Sequence, residues 1–72
     1  SFEFENFEVI DAESTSIGTI EQLVEMGLNI LLEVRRPDST TVLLPFDEAL
    51  ILTIDREKKQ LQLQIAEGLL DL

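Results

Sequence analysis

The feature that most constrains this chain is a segment of strict alternation near its end. Residues 59–65 read KQLQLQI, so glutamines and aliphatic residues follow one another with a period of two. Successive side chains of a β-strand point to opposite faces of the sheet, so this segment is predicted to be a strand with one buried face and one wet face. The clearest element of the chain is therefore typical of a β-fold.

The residues just before this strand supply a partner for it. Residues 50–55 read LILTID, and a regular strand would place three aliphatic side chains on one face: Leu50, Leu52 and Ile54. Ile51, Thr53 and Asp55 would lie on the other face. The polar linker DREKK that joins the two segments has the length of a hairpin connection, so we predict two adjacent antiparallel strands.

A second hairpin is predicted around the turn PDST, between NILLEVRR and TVLLPF. Pro37 presets φ for a turn, and Asp38 and Ser39 favour turning through local side-chain hydrogen bonds. Pro45 lacks a backbone donor and should end its strand or lie at an edge. The segment FEVID near the start of the chain alternates weakly and is followed by the polar turn AESTS, so it is a further candidate strand.

Residues 19–27, TIEQLVEMG, fit two structures. As a helix, the segment would start at a capping box formed by Thr19 and Gln22, and it would end at Gly27. As a strand it has Gln22 as a defect in its alternation. Several short strands surround it with turn signals at regular spacing, which favours a small barrel or sandwich. We therefore predict a long, bent strand that kinks at Gly18 or Gly27.

Length and composition limit the chemistry that the chain can perform. The chain has 72 residues, which allows one domain, and it has no cysteine and no histidine, so packing alone must stabilise it. Without His, Cys or Tyr, the usual arrangements of a nucleophile with a base cannot be built. The adjacent carboxylates of Asp47 and Glu48 could bind a hard cation or act as acid and base, but a solvated loop is the simpler interpretation. We predict no enzyme activity, no metal site and no cofactor.

The charge of the chain points to the kind of partner. The net charge is −10, from 15 acidic and five basic residues, and this balance argues against phosphate-backbone binding. An acidic surface favours a basic partner through electrostatic steering, although it also serves solubility alone. No stretch approaches the ~18 apolar residues needed to span a bilayer.

The phenylalanines and the two ends of the chain carry further expectations. Phe7 and Phe46 are predicted to be core residues, and Phe2 and Phe4 to be exposed. Residues 1–5 are interpreted as the end of a linker or an extra edge strand. Because the chain begins with Ser1 and its one methionine is internal, we interpret it as a piece of a longer protein.

The last seven residues, AEGLLDL, are unusually apolar for a chain end. A helical turn after Gly68 would place Leu69 and Leu72 on one face, where they would close the open end of the barrel. Leu70 and Asp71 would then point elsewhere and remain available for a partner.

The order of these segments resembles the C-terminal PRC-barrel domain of the bacterial ribosome maturation factor RimM family, over residues 6–72. The motifs that carry the resemblance are Val9–Asp11, Gly18–Ile20, Val42–Phe46, Ile54–Asp55, Lys58–Ile65 and the tail Glu67–Leu72. The chain departs from the family at Ala66, where proline is usual, and at Asn6, where glycine is common.

The resemblance implies an all-β fold, a small six-stranded PRC-type β-barrel with a short C-terminal turn, and it makes residues 19–27 a strand. It also implies that an N-terminal barrel similar to one in translation factors is absent from this chain. Proteins of this family are cytoplasmic, non-enzymatic assembly factors of the small (30S) ribosomal subunit. They associate with a basic ribosomal protein of the subunit head and assist ribosomal RNA maturation.

Five residues are the candidates for contact with that partner: Phe46, Asp47, Glu48, Leu70 and Asp71. No direct nucleic acid binding by this domain alone and no membrane association are expected. The alternative hypothesis is a generic PRC-barrel that stabilises or regulates a larger protein without a ribosomal partner. The residues that precede Ser1 would discriminate between the two.

Overall fold

The computed structural model describes residues 2–66 and 68–70, and it contains six strands and one short 3-10 helix. The elements in chain order are β1 (Glu8–Ile10), β2 (Ser16–Met26), β3 (Asn29–Arg35), β4 (Thr41–Pro45), the 3-10 helix (Glu48–Leu50), β5 (Ile51–Asp55) and β6 (Gln60–Leu63). The predicted all-β class and the six strands are confirmed. Within the described residues, no helix has the length and apolar character needed to cross a membrane.

The six strands form one sheet in the order β4-β3-β2-β1-β6-β5. Both predicted hairpins are present as the antiparallel pairs β3–β4 and β5–β6. β1 joins the two halves, because it pairs antiparallel with β2 and parallel with β6. β4 and β5 are the two edge strands, both are fully described, and they do not pair with each other. The barrel is therefore not closed by backbone hydrogen bonds.

Short polar side chains fix the turns between these strands. The Asp38 carboxylate accepts hydrogen bonds from both the backbone N–H and the hydroxyl of Thr40, as predicted for the PDST turn. Asp11 makes the same kind of turn before β2, accepting from the N–H groups of Glu13 and Thr15 at 3.0 and 2.8 Å. Pro45 ends β4, which is an edge strand, so its missing donor leaves no gap between strands.

The core is entirely apolar and draws on every strand from β1 to β4 and on β6. Its buried residues are Phe4, Phe7, Val9, Ile17, Ile20, Leu32, Val34, Leu44, Leu61 and Leu63. Leu61 and Leu63 come from the alternating segment KQLQLQI, and Gln60 and Gln62 on its other face are half-buried. The predicted burial pattern of this strand is confirmed.

Residues 19–27 contain no helix, and the strand prediction is confirmed by β2. The prediction that this strand kinks at a glycine is only partly right. Its pairing with β3 shifts between Ile20 and Gln22, so the bulge lies at Glu21. A second shift, in the pairing with β1, lies beside Gly18, and Gly27 belongs to the turn after the strand.

Gly18 is required by close packing of the backbone. A Cβ built on this residue would overlap the carbonyl oxygen of Arg35 on β3. Only a residue without a side chain therefore allows β2 and β3 to approach as they do at this level of the sheet.

β5 does not follow strict alternation, so the prediction that Leu50, Leu52 and Ile54 share one face is wrong. The pairing with β6 shifts between Ile51 and Thr53, so a bulge interrupts the period. Ile51 packs against the core, while Leu52 is 47% exposed. One extra residue in the strand has moved the following side chains to the opposite face.

The start of the chain is part of the core, which corrects the prediction that Phe2 and Phe4 are exposed. Residues 3–6 form turns and not an edge strand. Phe4 is only 5% exposed, and its ring contacts those of Phe2, Phe7 and Phe46 edge-to-face, at centroid distances of 5.6, 5.2 and 6.0 Å. The Arg56 guanidinium lies over the Phe4 ring at 5.4 Å. The placement of a domain boundary at residue 6 stays a prediction.

The end of the chain packs on the barrel as far as the structure describes it. Residues 68–70 form a turn, and Leu69 and Leu70 are both partly buried against the core. Leu69 packs on the barrel as predicted, whereas the prediction that Leu70 points elsewhere is wrong, because it packs on the core as well. Asp71 and Leu72 lie outside the described residues, so the predicted pairing of Leu69 with Leu72 stays a prediction.

Candidate protein-binding surface

The β2–β3 turn places apolar side chains in solvent. Met26 pairs with Asn29, which leaves a two-residue loop of Gly27 and Leu28. Gly27 has φ +62°, and a glycine with positive φ at the first loop position is the pattern of a type II′ hairpin turn. Leu28 occupies the second loop position, where its exposure is 103%. This leucine therefore gains no burial from the fold.

Its neighbours are exposed as well. Met26 is 53% exposed and Ile30 is 44% exposed. Ile30 lies two residues before the buried Leu32, so it continues the inward-facing row of β3 beyond the end of the core. Three large apolar side chains thus project from the tip of one hairpin.

These residues line an open groove of about 680 Å³, which we call the tip groove. Its apolar lining consists of Met26, Leu28, Ile30, Leu31, Pro45 and Phe46, and its polar lining of Asn29, Asp47 and Glu48. One wall is the β2–β3 hairpin, and the other is the segment that leaves β4. The groove therefore lies between two elements that the sheet brings together.

Phe46 is held rigidly where the two walls meet. Its backbone N–H donates a hydrogen bond of 2.9 Å to the Ile30 carbonyl oxygen, which continues the β3–β4 pairing by one step. Its ring packs edge-to-face against Phe2 and Phe4 at 5.9 and 6.0 Å. The sequence suggested both a core role and a contact role for Phe46, and the residue occupies a position between the core and the groove.

Asp47 and Glu48 form an acidic rim beside this ring. The Asp47 carboxylate caps the 3-10 helix by accepting a 2.9 Å hydrogen bond from the Ala49 N–H. Glu48 is exposed in the first turn of that helix. Across the hairpin, Glu25 pairs with Ile30 in the strand register. The charged groups beside the apolar floor are therefore all negative.

None of the five basic residues, all within the described part of the chain, lines the tip groove. Arg35 ends β3, at the opposite end from Asn29, and its Nε lies 3.4 Å from a Glu21 carboxylate oxygen. Arg56 pairs with Glu3 at 2.7 Å. These two arginines therefore make ion pairs within the chain, away from the tip groove.

The structure brings together three of the five predicted contact residues, Phe46, Asp47 and Glu48, in the tip groove. Leu70 lies apart from them. Its side chain is partly buried on the core, and its backbone oxygen is 3.4 Å from Nη1 of Arg36, from which it accepts a hydrogen bond. Asp71 lies outside the described residues. As contact residues, all five stay predictions.

Sequence reasoning missed the hairpin side of the groove. Met26, Leu28 and Ile30 flank a glycine turn, and turn positions normally favour polar residues or glycine. A leucine directly after a turn glycine was the signal that could have indicated an exposed apolar tip.

A polar cluster on β1, β2 and β6 is linked by its own side-chain hydrogen bonds. Glu8 accepts a 2.7 Å hydrogen bond from the Ser16 hydroxyl and a 2.8 Å hydrogen bond from the Gln60 amide. These two donors, Ser16 above all, hold the pKa of the Glu8 carboxyl below its usual range. Within residues 2–66 and 68–70, no group of three acidic, His or Cys side chains is arranged to hold a metal ion.

Comparisons with known proteins converge on one family. The family model of the RimM PRC barrel domain matches residues 1–69. The ribosome maturation factor RimM of Porphyromonas gingivalis is 39% identical over 69 residues, which cover 96% of this chain and 39% of that protein. The corresponding protein of Rhizobium rhizogenes is 36% identical over 70 residues, which cover 96% of this chain and 37% of that protein.

A solved structure shares the fold. The crystal structure of a RimM protein of Pseudomonas aeruginosa, named for 16S ribosomal RNA processing, superposes with a TM-score of 0.76 at 26% identity. The match covers 89% of this chain and 42% of the other. The chain thus spans about two-fifths of the length of the relatives that it matches.

Proposed function

Because the chain belongs to the RimM PRC barrel domain family, we propose that it is the protein-binding module of a ribosome maturation factor. Its partner is a basic ribosomal protein of the small-subunit head, within the ribosome precursor in the cytoplasm. By holding that protein while the surrounding ribosomal RNA folds, the module assists maturation of the RNA. Its contribution is non-enzymatic and needs no cofactor.

The observation that carries this proposal is the tip groove, where an apolar floor lies beside an acidic rim. Protein interfaces typically combine a few large apolar anchors at the centre with charged groups at the edge. Phe46 offers such an anchor, because its ring is already fixed by the Phe2 and Phe4 rings and loses little freedom on binding.

The charge of the chain determines how a partner approaches. A net charge of −10 attracts a basic protein over several ångströms and repels the phosphates of RNA. The module can therefore contact a ribosomal protein inside an RNA-rich particle without itself binding the RNA. Charge mainly accelerates the encounter, while burial of the apolar floor supplies most of the affinity.

The relatives are longer than this chain, and we expect an N-terminal barrel similar to one in translation factors to precede it in the complete protein. Leu70 and Asp71, which lie apart from the tip groove in sequence, are proposed as a secondary contact. An apolar membrane span before Ser1 would instead favour the alternative of a generic PRC-barrel.

The test is a calorimetric titration of the chain with the basic head protein at several salt concentrations. We expect saturable one-to-one binding at low salt that weakens steadily as salt increases, because screening removes the steering attraction. An acidic ribosomal protein serves as the control and should not bind. Failure of the head protein to bind at low salt would rule out the direct contact.

A further inference from the structure

We propose that the tip groove takes an extended, Lys/Arg-rich segment of the partner with one large apolar side chain, and that Leu28 closes over this side chain. The inference rests on the proposed function, since it names the part of a basic partner that the module grips. It assigns a binding role to the hairpin tip in addition to the segment around Phe46.

The tip of the β2–β3 hairpin leaves large apolar side chains exposed. Leu28 is 103% exposed, and Met26 and Ile30 are exposed beside it. None of the three packs against the core. A cluster of large apolar side chains that the fold leaves in water, next to polar residues, is typical of an interaction site. The gain from burying these side chains is therefore available to a ligand.

The tip groove has two different walls. It offers about 680 Å³ of space open to solvent, lined by the hairpin and by the segment after β4. On one wall the Phe46 ring packs edge-to-face against Phe2 and Phe4, while on the other wall Leu28 is at a two-residue turn and its side chain packs against nothing in the fold. A fixed wall facing an adaptable leucine suits one inserted apolar side chain on an otherwise extended backbone.

The charge around the groove selects the class of segment. Asp47 and Glu48 line it, and Glu25 lies opposite Ile30 in the adjacent strand. Lys and Arg residues flanking the apolar anchor would meet carboxylates on both sides. A second copy of this chain, with its net charge of −10, and a nucleic acid would both be repelled. A basic protein segment is the occupant that matches both the floor and the rim.

Leu28→Ser is the decisive variant, and Leu52→Ser is its matched control. Leu52 is an exposed leucine of β5 that does not line the groove. Leu28 lies fully in solvent and Leu52 is about half exposed, so both variants should keep the circular dichroism spectrum of the parent, and only Leu52→Ser should lower the melting temperature. The probes are the head protein and two synthetic peptides of lysine and arginine, one with a central phenylalanine and one with serine in its place.

We expect the phenylalanine peptide to bind the parent at least about tenfold more tightly than the serine peptide, a difference of ~1.4 kcal/mol. Leu28→Ser should remove most of that difference and weaken binding of the head protein by about tenfold. Leu52→Ser should change neither affinity. In nuclear magnetic resonance titrations, the amide signals of residues 26–31 and 46–48 should shift.

The outcomes separate this inference from the proposed function. If the head protein binds the parent and Leu28→Ser equally well, the inference is overturned while the function stands. If the phenylalanine peptide binds the groove but the head protein does not bind at all, the function is overturned while the groove's specificity stands. Equal binding of the two peptides by the parent would also overturn the inference.

Discussion

Replacing Phe4 by alanine should strongly destabilise the domain, although this residue is only the fourth of the chain. Phe4 is 5% exposed and makes edge-to-face contacts with three other rings. Removing a buried phenylalanine side chain typically costs about 3–5 kcal/mol, through lost burial and the cavity that remains. The Arg56 guanidinium would also lose the ring beneath it.

That cost is large for a chain of 72 residues. At about 0.05–0.15 kcal/mol per residue, its total unfolding free energy should be about 4–11 kcal/mol. Since 1 kcal/mol shifts the melting temperature of a domain of this size by about 4–8 °C, the variant should melt at least ~12 °C below the parent. The measurement is urea unfolding followed by circular dichroism, together with a thermal melt.

Two controls sharpen the result. Phe4→Leu keeps most of the buried volume and should cost less than half as much as Phe4→Ala. Glu5→Ala changes an exposed neighbour and should stay within about 0.5 kcal/mol of the parent. If Phe4→Ala also stays within about 0.5 kcal/mol, residues 2–5 are a linker after all and do not belong to the core.

The remaining predictions concern the tail, the closest strand contact and the charges. Truncation after Ala66 removes two partly buried leucines and should lower the unfolding free energy by about 2 kcal/mol; an unchanged urea midpoint would show that the tail does not stabilise the barrel. Gly18→Ala should cost about 1–3 kcal/mol, because its Cβ would overlap the backbone oxygen of Arg35; a melt equal to that of the parent would contradict this packing. Moderate salt should raise the melting temperature, since it screens the repulsion among charges that sum to −10. A melting temperature that does not change with salt would show that this repulsion does not destabilise the fold. The pKa of Glu8 is lowered in the folded chain, so its stabilising contribution is present above the pKa of the unfolded chain and is lost as pH falls through the folded pKa. Glu8→Gln should therefore show a smaller loss of stability on acidification than the parent, and an identical loss would exclude this contribution.

The local pattern predicted the strands well, because alternation and turn chemistry act over a few residues. The glutamine-leucine alternation of β6 and the PDST turn both have a purely local cause and are confirmed. For residues 19–27 local propensity left strand and helix open, and the strand was predicted from the neighbouring strands and turns, in agreement with the family resemblance. There, tertiary pairing with β3 decides the structure.

What the sequence did not reveal depends on distant partners. The parallel pairing of β1 with β6 joins residues about fifty positions apart, and no local signal marks it. The burial of Phe4 depends on Phe46, far along the chain. The bulge in β5 reversed the predicted faces, because one extra residue is enough to change the phase of a two-residue period.

The candidate site was half predicted for the same reason. Phe46, Asp47 and Glu48 are contiguous, and a loop with an aromatic residue and two acids is visible in the sequence. The opposite wall comes from the β2–β3 hairpin, which β3 holds beside the end of β4. Only the sheet order brings the two together.

The measurement that tests the acid-rimmed groove most directly is the affinity of the head protein for Glu48→Lys at low and at moderate salt. Glu48 is exposed on the rim, and Glu57→Lys, an exposed acid in the β5–β6 turn, has the same change in net charge and serves as the control. We expect Glu48→Lys to bind at least about tenfold more weakly than Glu57→Lys at low salt, with a smaller difference at moderate salt. Equal affinities for the two variants would mean that overall charge, and not the tip groove, attracts the partner.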